Sequence, residues 1–356
     1  MTSSSQTSSP DNCSIHAFDP LRGDGWDAVL TAHPACSVFH SAGWARVLSQ
    51  SYGHTPFYLG EMDGNTASSL LPLMEVNSPF TGRRGVALPF SDECGTLANA
   101  QIDASHLFHH AINLGRERRW KHLEVRGEIP GLTPDLPWAN YVGHTLDLSI
   151  GMESLTTGLE PSVRRAIRKA EKSGVRTRMA NSLEAMRGYY VLHCLTRRKH
   201  GAPPQPFSFF QSIVEHLFQT GHGFIMEARR ENKLVAAGIF LHHGRNAIYK
   251  FGASDPAELN LRGNDLVMWE AIQWFANRGF ASFSMGRSAA ANEGLRRFKR
   301  GFGTREQAVR YYRYDLRRAK FIAGREEKES FANKMLQLTP LPLFKMMGET
   351  LYPHLD

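Results

Sequence analysis

Residues 224–243 read FIMEARRENKLVAAGIFLHH, and this stretch decides how the second half of the chain folds. Two apolar runs flank Glu231-Asn232, which is the pattern of a β-hairpin with a tight turn. A third apolar run, Asn246–Gly252, follows directly and predicts another strand. The sequence therefore predicts three consecutive strands at the centre of this half.

Helices are predicted on both sides of these strands. Upstream, Pro161 suits a first helical position and Gly174 suits a helix end. Downstream, Asn264–Arg278 places Leu266, Trp269, Ile272 and Phe275 along one helical face. The other predicted elements are helices at Ser182–Lys199, Phe207–Thr220 and Glu293–Arg300, and strands at Ala281–Met285 and Gln307–Asp315.

The front half follows a similar plan. FYLGEMDGNTASSLLPLMEV predicts a hairpin turning at Asp63-Gly64-Asn65, as FIMEARRENKLVAAGIFLHH does later. AINLGRERRWKHLEVRGE and AIQWFANRGFASFSMGRS share a helix-to-strand plan, which indicates two similar α/β units. The remaining front elements are predicted as helices at Trp26–His33, Ser41–Tyr52 and Asp103–Trp120, a loop at Ser78–Gly85, and strands at Val86–Phe90 and Lys121–Arg126.

Charge and cysteine content narrow the class of protein. Cys13, Cys36, Cys94 and Cys194 are scattered, which argues against a zinc knuckle or a disulfide framework and favours a reducing compartment. His193 precedes Cys194, but neighbours in a helix point in different directions and would not form a nucleophilic pair. The net charge of +8 favours an anionic partner: nucleic acid, a nucleotide-linked sugar, a phosphorylated lipid carrier or a membrane face.

Several short segments match one family in order and spacing. PSVRRAIRKAEKSGV, YKFGASD, LRGNDLVMWEAI, SMGRS and NEGLRRFKRGFG resemble the Fem-type branch of the GNAT superfamily, the FemAB-like aminoacyl- and acyltransferases of cell-wall and polysaccharide biosynthesis. In the front half, SVFHSAGW, a strand pair ending in LLPLMEV, and GVALPFSDECGTL also match. The resemblance covers residues 35–315.

The resemblance implies an α/β (α+β) fold of two tandem GNAT-like domains, each a mixed, mostly antiparallel sheet flanked by helices. The apolar tail either packs back as a helix or contacts a membrane surface, and Pro340 and Pro342 favour packing. The predicted divisions are a disordered lead-in at 1–12, an N-terminal GNAT-like domain at 13–155 completed by part of 317–356, a C-terminal acyltransferase domain at 156–316, and a helical tail at 317–356.

Four residues are catalytic candidates. The family has a lysine near substrate or donor in the segment matching FKRGFG, which points to Lys299. Lys250 lies on a predicted strand, where burial is costly without a partner. Arg287 follows the strand ASFSMG, at the end where open α/β sheets bind ligands. Glu293 is expected to pair with Arg287, or alternatively to act as a base.

The binding candidates lie in three places. The strand ending near Gly252 and the helix starting near Asn264 should frame a cleft, where free N–H groups can hold an anion or a carbonyl oxygen. Gly263 would let a ligand approach the backbone closely. The full set is Tyr249, Arg262, Gly263 and Asn264 at this cleft, Arg164, Arg165 and Arg168 on the basic helix from Pro161, and His40, Trp44, Arg83 and Arg84 in the front half, with the two arginines on a phosphate-binding loop.

The donor remains open between acyl-CoA and aminoacyl-tRNA, each as a co-substrate. No permanently bound cofactor or metal is expected. Typical GNAT enzymes hold the coenzyme A pyrophosphate with a [Q/R]-x-x-G-x-[G/A] loop. The matching stretch here, NLRGNDL, lacks that spacing, which weakens coenzyme A as donor. The positive charge favours tRNA.

These observations predict an acyltransferase that moves an acyl or aminoacyl group to an amine of a cell-envelope precursor or exopolysaccharide. Direct transfer is expected, because the sequence has no GxSxG elbow for a covalent intermediate. The predicted place is the cytoplasm, alternatively the inner membrane face. Predicted partners are an anionic or carrier-linked substrate, tRNA and a peripheral membrane contact. The alternative function is a catalytically inactive GNAT-like module that binds an anionic partner in polysaccharide assembly.

Overall fold

A single mixed sheet runs through both halves of the chain. The computed structural model describes residues 15–23, 26–31, 33–63, 66–98, 103–132, 134, 136–324, 336–337 and 339–355. The predicted lead-in at 1–12 and the turn residues Gly64 and Asn65 lie outside the described residues. The strands are β1 (His16–Phe18), β2 (Thr55–Asp63), β3 (Thr66–Ser78), β4 (Gly82–Val86), β5 (Leu97–Ala98), β6 (His122–Arg126), β7 (Ala139–Asp147), β8 (Val175–Ala180), β9 (Gly223–Arg230), β10 (Lys233–His243), β11 (Asn246–Ser254), β12 (Ser282–Ala289), β13 (Arg305–Asp315) and β14 (Lys320–Phe321).

Helices cover both faces of the sheet. They are α1 (Trp26–Thr31), α2 (Ala42–Tyr52), α3 (Ser105–Glu117), α4 (Met152–Gly158), α5 (Pro161–Lys172), α6 (Leu183–Lys199), α7 (Phe207–Ile213), α8 (Gly263–Ala276), α9 (Glu293–Arg300) and α10 (Leu341–Leu351). A π-helical turn at Val214–Phe218 continues α7. In the described parts of the chain, no helix has the length and apolar character that a membrane span requires.

The two halves repeat one strand plan. In the back half, β9 and β10 form an antiparallel hairpin, β11 lies antiparallel to β10, and β12 lies parallel to β11 after the helix α8. In the front half, β2 and β3 form the hairpin, β4 follows, and β6 lies parallel to β4 after α3. The two similar α/β units predicted from sequence are therefore present.

Strands β7 and β13 join the halves. The sheet order is β1-β2-β3-β4-β6-β13-β7-β12-β11-β10-β9-β8, with β5 on β3 and β14 on β13. The late strand β13 thus lies beside β6 of the front half, and the early strand β7 lies beside β12 of the back half. The domain boundary near residue 155 stays a prediction.

Strands β11 and β12 diverge at the centre of the back half. Their described ladder joins Asn246–Ile248 to Ser282–Ser284, near the start of both strands. Further along, the pairing of β12 with β7 shifts register between Ser284 and Arg287. Gly286 has φ +66°, a left-handed conformation that favours glycine. This bend turns β12 away from β11 and opens a gap between two parallel strands.

Local signals account for most helix boundaries. Ser41 accepts a hydrogen bond from the backbone N–H of Trp44 and caps α2, as predicted. Ser182 caps α6 in the same way through Ala185. Gly174 follows α5 with φ +77° and ends that helix.

Three boundary predictions were wrong or incomplete. The strand predicted at Val86–Phe90 lies earlier, at β4, so the predicted loop at Ser78–Gly85 is partly strand. Strands β7 and β8 and the helix α4 had no prediction.

The tail helix α10 packs back on the protein, as favoured: Tyr352 stacks on Tyr52, and the hydroxyl of Tyr352 donates to the carbonyl of Pro203.

Candidate functional site

A cleft of about 440 Å³ lies where the two halves meet. Its front wall comes from the turn before α2 and from the loop after β4. Its back wall comes from the starts of β11 and β12, and β7 and β13 complete it. Its lining includes His40, Asp92, Glu93, Cys94, His144 and Arg287.

Lys250 and Asp92 form an ion pair beside this cleft. Lys250 Nζ lies 2.7 Å from Asp92 Oδ2, and the Lys250 side chain is 6% exposed. Nζ also lies 5.2 Å above the ring of Phe39 and 5.0 Å above that of Phe251. Burial lowers the pKa of Lys250, and Asp92 opposes that decrease. Burial alone would raise the pKa of Asp92, but Lys250 outweighs it and holds that pKa below its usual value.

Arg287 lies inside β12 rather than after it, because the bend at Gly286 does not end the strand. Its guanidinium is 3.7 Å above the ring of Tyr141 and 4.9 Å above that of Tyr311. Both contacts are cation–π interactions that fix its plane. Arg287 also lowers the pKa of Asp92, so its charge acts at the same point as that of Lys250.

Lys299 is buried on α9 and points at the bend of β12. Its ammonium group donates to the carbonyls of Gly286 at 3.2 Å and Arg287 at 3.0 Å. Burial lowers the pKa of Lys299 to about 8; Asp92 opposes this, and Arg287 and Lys250 add to it. An ammonium group has three N–H donors, so one remains beyond the two carbonyl contacts.

Glu293 does not have the predicted role. It is exposed in the first turn of α9 and pairs with Arg296 at 3.4 Å and with Arg300. The carboxylate that lies near Arg287 is Asp92, which sequence reasoning missed. Its segment LPFSDECG was visible in the front-half resemblance, but nothing local indicates which acidic residue meets Lys250 from the other half.

His40 is a neutral wall residue of the cleft. The backbone N–H of Ser37 donates to Nδ1 at 3.2 Å, so Nε2 carries the ring proton and faces Cys94 Sγ at 3.3 Å. Burial lowers the pKa of His40 to about 4. Burial also raises the pKa of the Cys94 thiol. His40 therefore cannot take a proton from Cys94 in this arrangement.

A second hollow, of about 290 Å³, lies beside the part of β11 that follows its last residue paired with β12, Ile248. Tyr249 and Gly252 line it from β11, Asn264 from the start of α8, and Leu295 and Phe298 from α9. The predicted pairing of the strand end near Gly252 with the helix start near Asn264 does frame a cavity.

Gly263 serves packing rather than ligand approach. A Cβ at this position would lie 3.0 Å from Cβ of Ala236 and 3.2 Å from Cγ2 of Val235. The glycine therefore allows α8 to sit close to β10, which corrects the predicted ligand contact. Arg262, with φ +60°, precedes it and is exposed.

A third, basic hollow of about 600 Å³ adjoins the second and shares Phe298 with it. Its cationic lining is Arg165 and Lys169 of α5, Arg262 before α8, and Arg297 of α9; its acidic lining is Glu160 and Asp265. Arg164 and Arg168 also lie on α5, with Arg168 exposed. The predicted basic helix thus contributes Arg165 to a hollow that could hold an anion.

Two front-half predictions were wrong. Trp44 is fully buried in the core, edge-on to the rings of Phe39 and Phe209, so it cannot grip an acceptor. Arg84 is buried in β4 and donates to Thr81 Oγ1 at 2.7 Å and to the carbonyl of His354 at 2.8 Å. Arg83 is exposed on the same strand rather than on a loop.

Known proteins share sequence and fold with this chain. Residues 161–300 match the model of an acetyltransferase (GNAT) domain. A UDP-N-acetylmuramoylpentapeptide-lysine N(6)-alanyltransferase of Weissella viridescens is 27% identical over 166 residues, which are 44% of this chain and 47% of that protein. The match therefore spans about half of the relative's length.

Solved structures show the fold. The crystal structure of FemX superposes with a TM-score of 0.66 at 12% identity, over 83% of this chain and 96% of FemX. The back half therefore matches a GNAT domain, and the chain shares its fold with FemX. A tandem GNAT protein from the clavulanic acid biosynthesis pathway has a TM-score of 0.51 at 11% identity, over 86% of this chain and 99% of its own. The chain thus has the tandem GNAT-like architecture predicted from its sequence.

Proposed function

We propose that this protein transfers an acyl or aminoacyl group to the amine of a cell-wall precursor. The observation that carries the proposal is that consecutive residues contribute to two different spaces. Tyr249 and Phe298 line the second hollow, while their neighbours Lys250 and Lys299 make their contacts toward the cleft between the halves. A donor in the hollow and an acceptor in the cleft would meet at the gap between β11 and β12.

Lys299 is the group we assign to the developing charge. When an amine attacks a carbonyl, the carbonyl oxygen becomes an oxyanion that fixed donors can stabilise. The carbonyls of Gly286 and Arg287 hold Lys299 in place, and its third N–H supplies such a donor. Arg287 and Lys250 place two further positive charges near Asp92, which lines the cleft together with Glu93 and Glu128.

The basic hollow supports a phosphate-bearing donor. Arg165, Lys169, Arg262 and Arg297 surround it, and it leads into the second hollow. Coenzyme A and the acceptor end of a tRNA both carry phosphates. The relative's name indicates an alanyl group, the NLRGNDL stretch weakens coenzyme A as donor, and the net positive charge favours tRNA. We therefore propose aminoacyl-tRNA as the first donor to test.

We propose direct transfer in the cytoplasm. Burial raises the pKa of Cys94, and the ring nitrogen that faces it carries a proton, so a thioester intermediate on this residue has no base to start it. The relative's name indicates a lysine amine of UDP-N-acetylmuramoylpentapeptide as its acceptor. A muramoyl peptide amine is therefore the acceptor class that we propose here.

The decisive experiment is a transfer assay with purified protein and UDP-N-acetylmuramoylpentapeptide, offering alanyl-tRNA, acetyl-CoA and longer acyl-CoAs in turn. Product is expected with alanyl-tRNA and should be lost in Lys299→Ala. Lys320→Ala is the matched control, because Lys320 is exposed on β14 outside both cavities. Donor binding without any product, unaffected by Lys299→Ala, would favour the inactive binding module instead.

A further inference from the structure

The helix α10 packs one face against the protein and exposes apolar side chains on the other. The buried face holds it firmly: Phe344 is fully buried, and a Cβ on Gly348 would lie 2.0 Å from the carbonyl oxygen of Pro204. Tyr352, just after the helix, accepts a hydrogen bond from Arg197 at 3.0 Å. The position of the helix is therefore set without its outer face.

Leu343 and Met346, three residues apart on α10, are 47% and 56% exposed. Leu351, the last residue of α10, and Leu355 beyond it are 42% and 44% exposed. Phe80, in the turn between β3 and β4, is 76% exposed, and its ring lies 4.9 Å from that of His354.

This concentration is unusual for the molecule. Among the described residues, eleven large apolar side chains are exposed, and five of them belong to this surface. We call it the tail face: Phe80, Leu343, Met346, Leu351 and Leu355. Contiguous exposed apolar patches of this kind mark contacts with proteins or membranes.

Positive charges border the tail face. Arg83 is exposed three residues after Phe80, and the Lys121 side chain lies over Gly82 in the same turn. On the helix itself, Lys345 Nζ lies 5.3 Å from the ring of Tyr190. Glu349 is the exposed acidic residue of α10. Apolar side chains flanked by lysine and arginine are the pattern that binds anionic lipid surfaces.

We propose that the tail face docks the protein on an anionic membrane surface. The apolar residues would enter the boundary between headgroups and acyl chains, and the bordering cations would contact lipid phosphates. The contact is peripheral and lies outside the cavities assigned above.

Co-sedimentation of the full chain with lipid vesicles tests this. Vesicles of equal parts phosphatidylcholine and phosphatidylglycerol should bind the protein, and pure phosphatidylcholine should bind it more weakly. The double variant Leu343→Gln and Met346→Gln should bind anionic vesicles at least about tenfold more weakly, because two insertions are lost. Ile150→Gln with Met179→Gln is the matched control, since both residues are 48% exposed elsewhere.

Thermal unfolding of each variant confirms that the fold is kept, as expected for exposed positions. Three results would overturn the proposal: no vesicle binding by the unmodified chain, equal binding by the Leu343/Met346 variant, or a dimer in sedimentation velocity that this variant dissociates without any vesicle binding. None of these readouts depends on transferase activity, so failure here leaves the proposed function to its own test.

Discussion

Lys250 of β11 and Asp92 of the loop after β4 are joined at 2.7 Å across the two halves of the chain. They are 158 residues apart in sequence. The pair connects the front loop to β11, which lines the hollow that we propose for the donor. It therefore links the arrangement of the two halves to the candidate functional site.

Replacing Asp92 by Asn should destabilise the protein by roughly 2–4 kcal/mol, because Lys250 would remain buried without its counter-charge. The expected loss of unfolding free energy is smaller than for a fully buried pair, because Asp92 is 20% exposed. Urea unfolding measures it. Glu293→Gln is the control: it breaks an exposed pair and should cost under about 1 kcal/mol. Equal losses in both variants would contradict the assignment of a buried pair.

Removing Lys299 should reduce turnover by roughly 10²–10³-fold, the usual effect of losing an oxyanion donor. The Michaelis constants should change much less, because the contact strengthens in the transition state. Steady-state kinetics of Lys299→Ala decide this. A rise in Michaelis constant at unchanged turnover would assign Lys299 to substrate binding instead.

The pH profile separates two roles for Lys299. Its pKa is lowered to about 8, so a protonated donor should be lost as pH rises through about 8, and turnover should fall there. In Lys299→Arg this fall should disappear, because arginine stays protonated. A rise in turnover over the same window would show that Lys299 acts as a base.

The contribution of Lys299 to folding stability should rise with pH, whereas its contribution to turnover should fall. Below a pH of about 8 both folded and unfolded states carry the proton, and burial of the charge is unfavourable. Between about 8 and the ordinary lysine pKa, the unfolded state binds more protons, so this contribution to stability rises with pH. The difference in unfolding free energy between the unmodified chain and Lys299→Met, followed across this range, measures it.

Gly252→Ala should weaken donor binding and leave the fold nearly unchanged. A Cβ at Gly252 would lie 1.5 Å from the Tyr249 hydroxyl, so the ring must move within the hollow that both residues line. The expected result is a several-fold higher Michaelis constant for the donor. Gly188→Ala is the control, because its Cβ meets Leu234 at an ordinary 3.5 Å. Equal donor constants in both variants would show that the donor lies elsewhere.

Local patterns predicted much of the fold, because caps, hairpins and amphipathic faces are written in neighbouring residues. The helix Glu293–Arg300 and the hairpin around Glu231-Asn232 were found in this way. Strand β7 was missed, because its partners β12 and β13 lie more than 130 residues further along the chain. Such pairing leaves no short-range signal.

The candidate site was only partly predictable for the same reason, because some of its contacts join residues that are distant in sequence. Lys299 and Lys250 were found from a motif and from the cost of burying a lysine, whereas Asp92 becomes visible only when the halves meet. Trp44 fails for the converse reason: a helical aromatic looks the same in sequence whether it faces a ligand or the core. Gly263 was predicted to let a ligand approach the backbone closely, but the residue that lies close to it is Ala236 and not a substrate.

The position of β13 between β6 and β7 has a consequence for biosynthesis. A ribosome releases β6 long before β13, so the nascent front half must wait with an open strand edge that could pair with other chains. Neither unit can be completed in isolation during translation. Final assembly therefore depends on the arrival of residues 305–315, and truncation before them would leave both units unfinished at once.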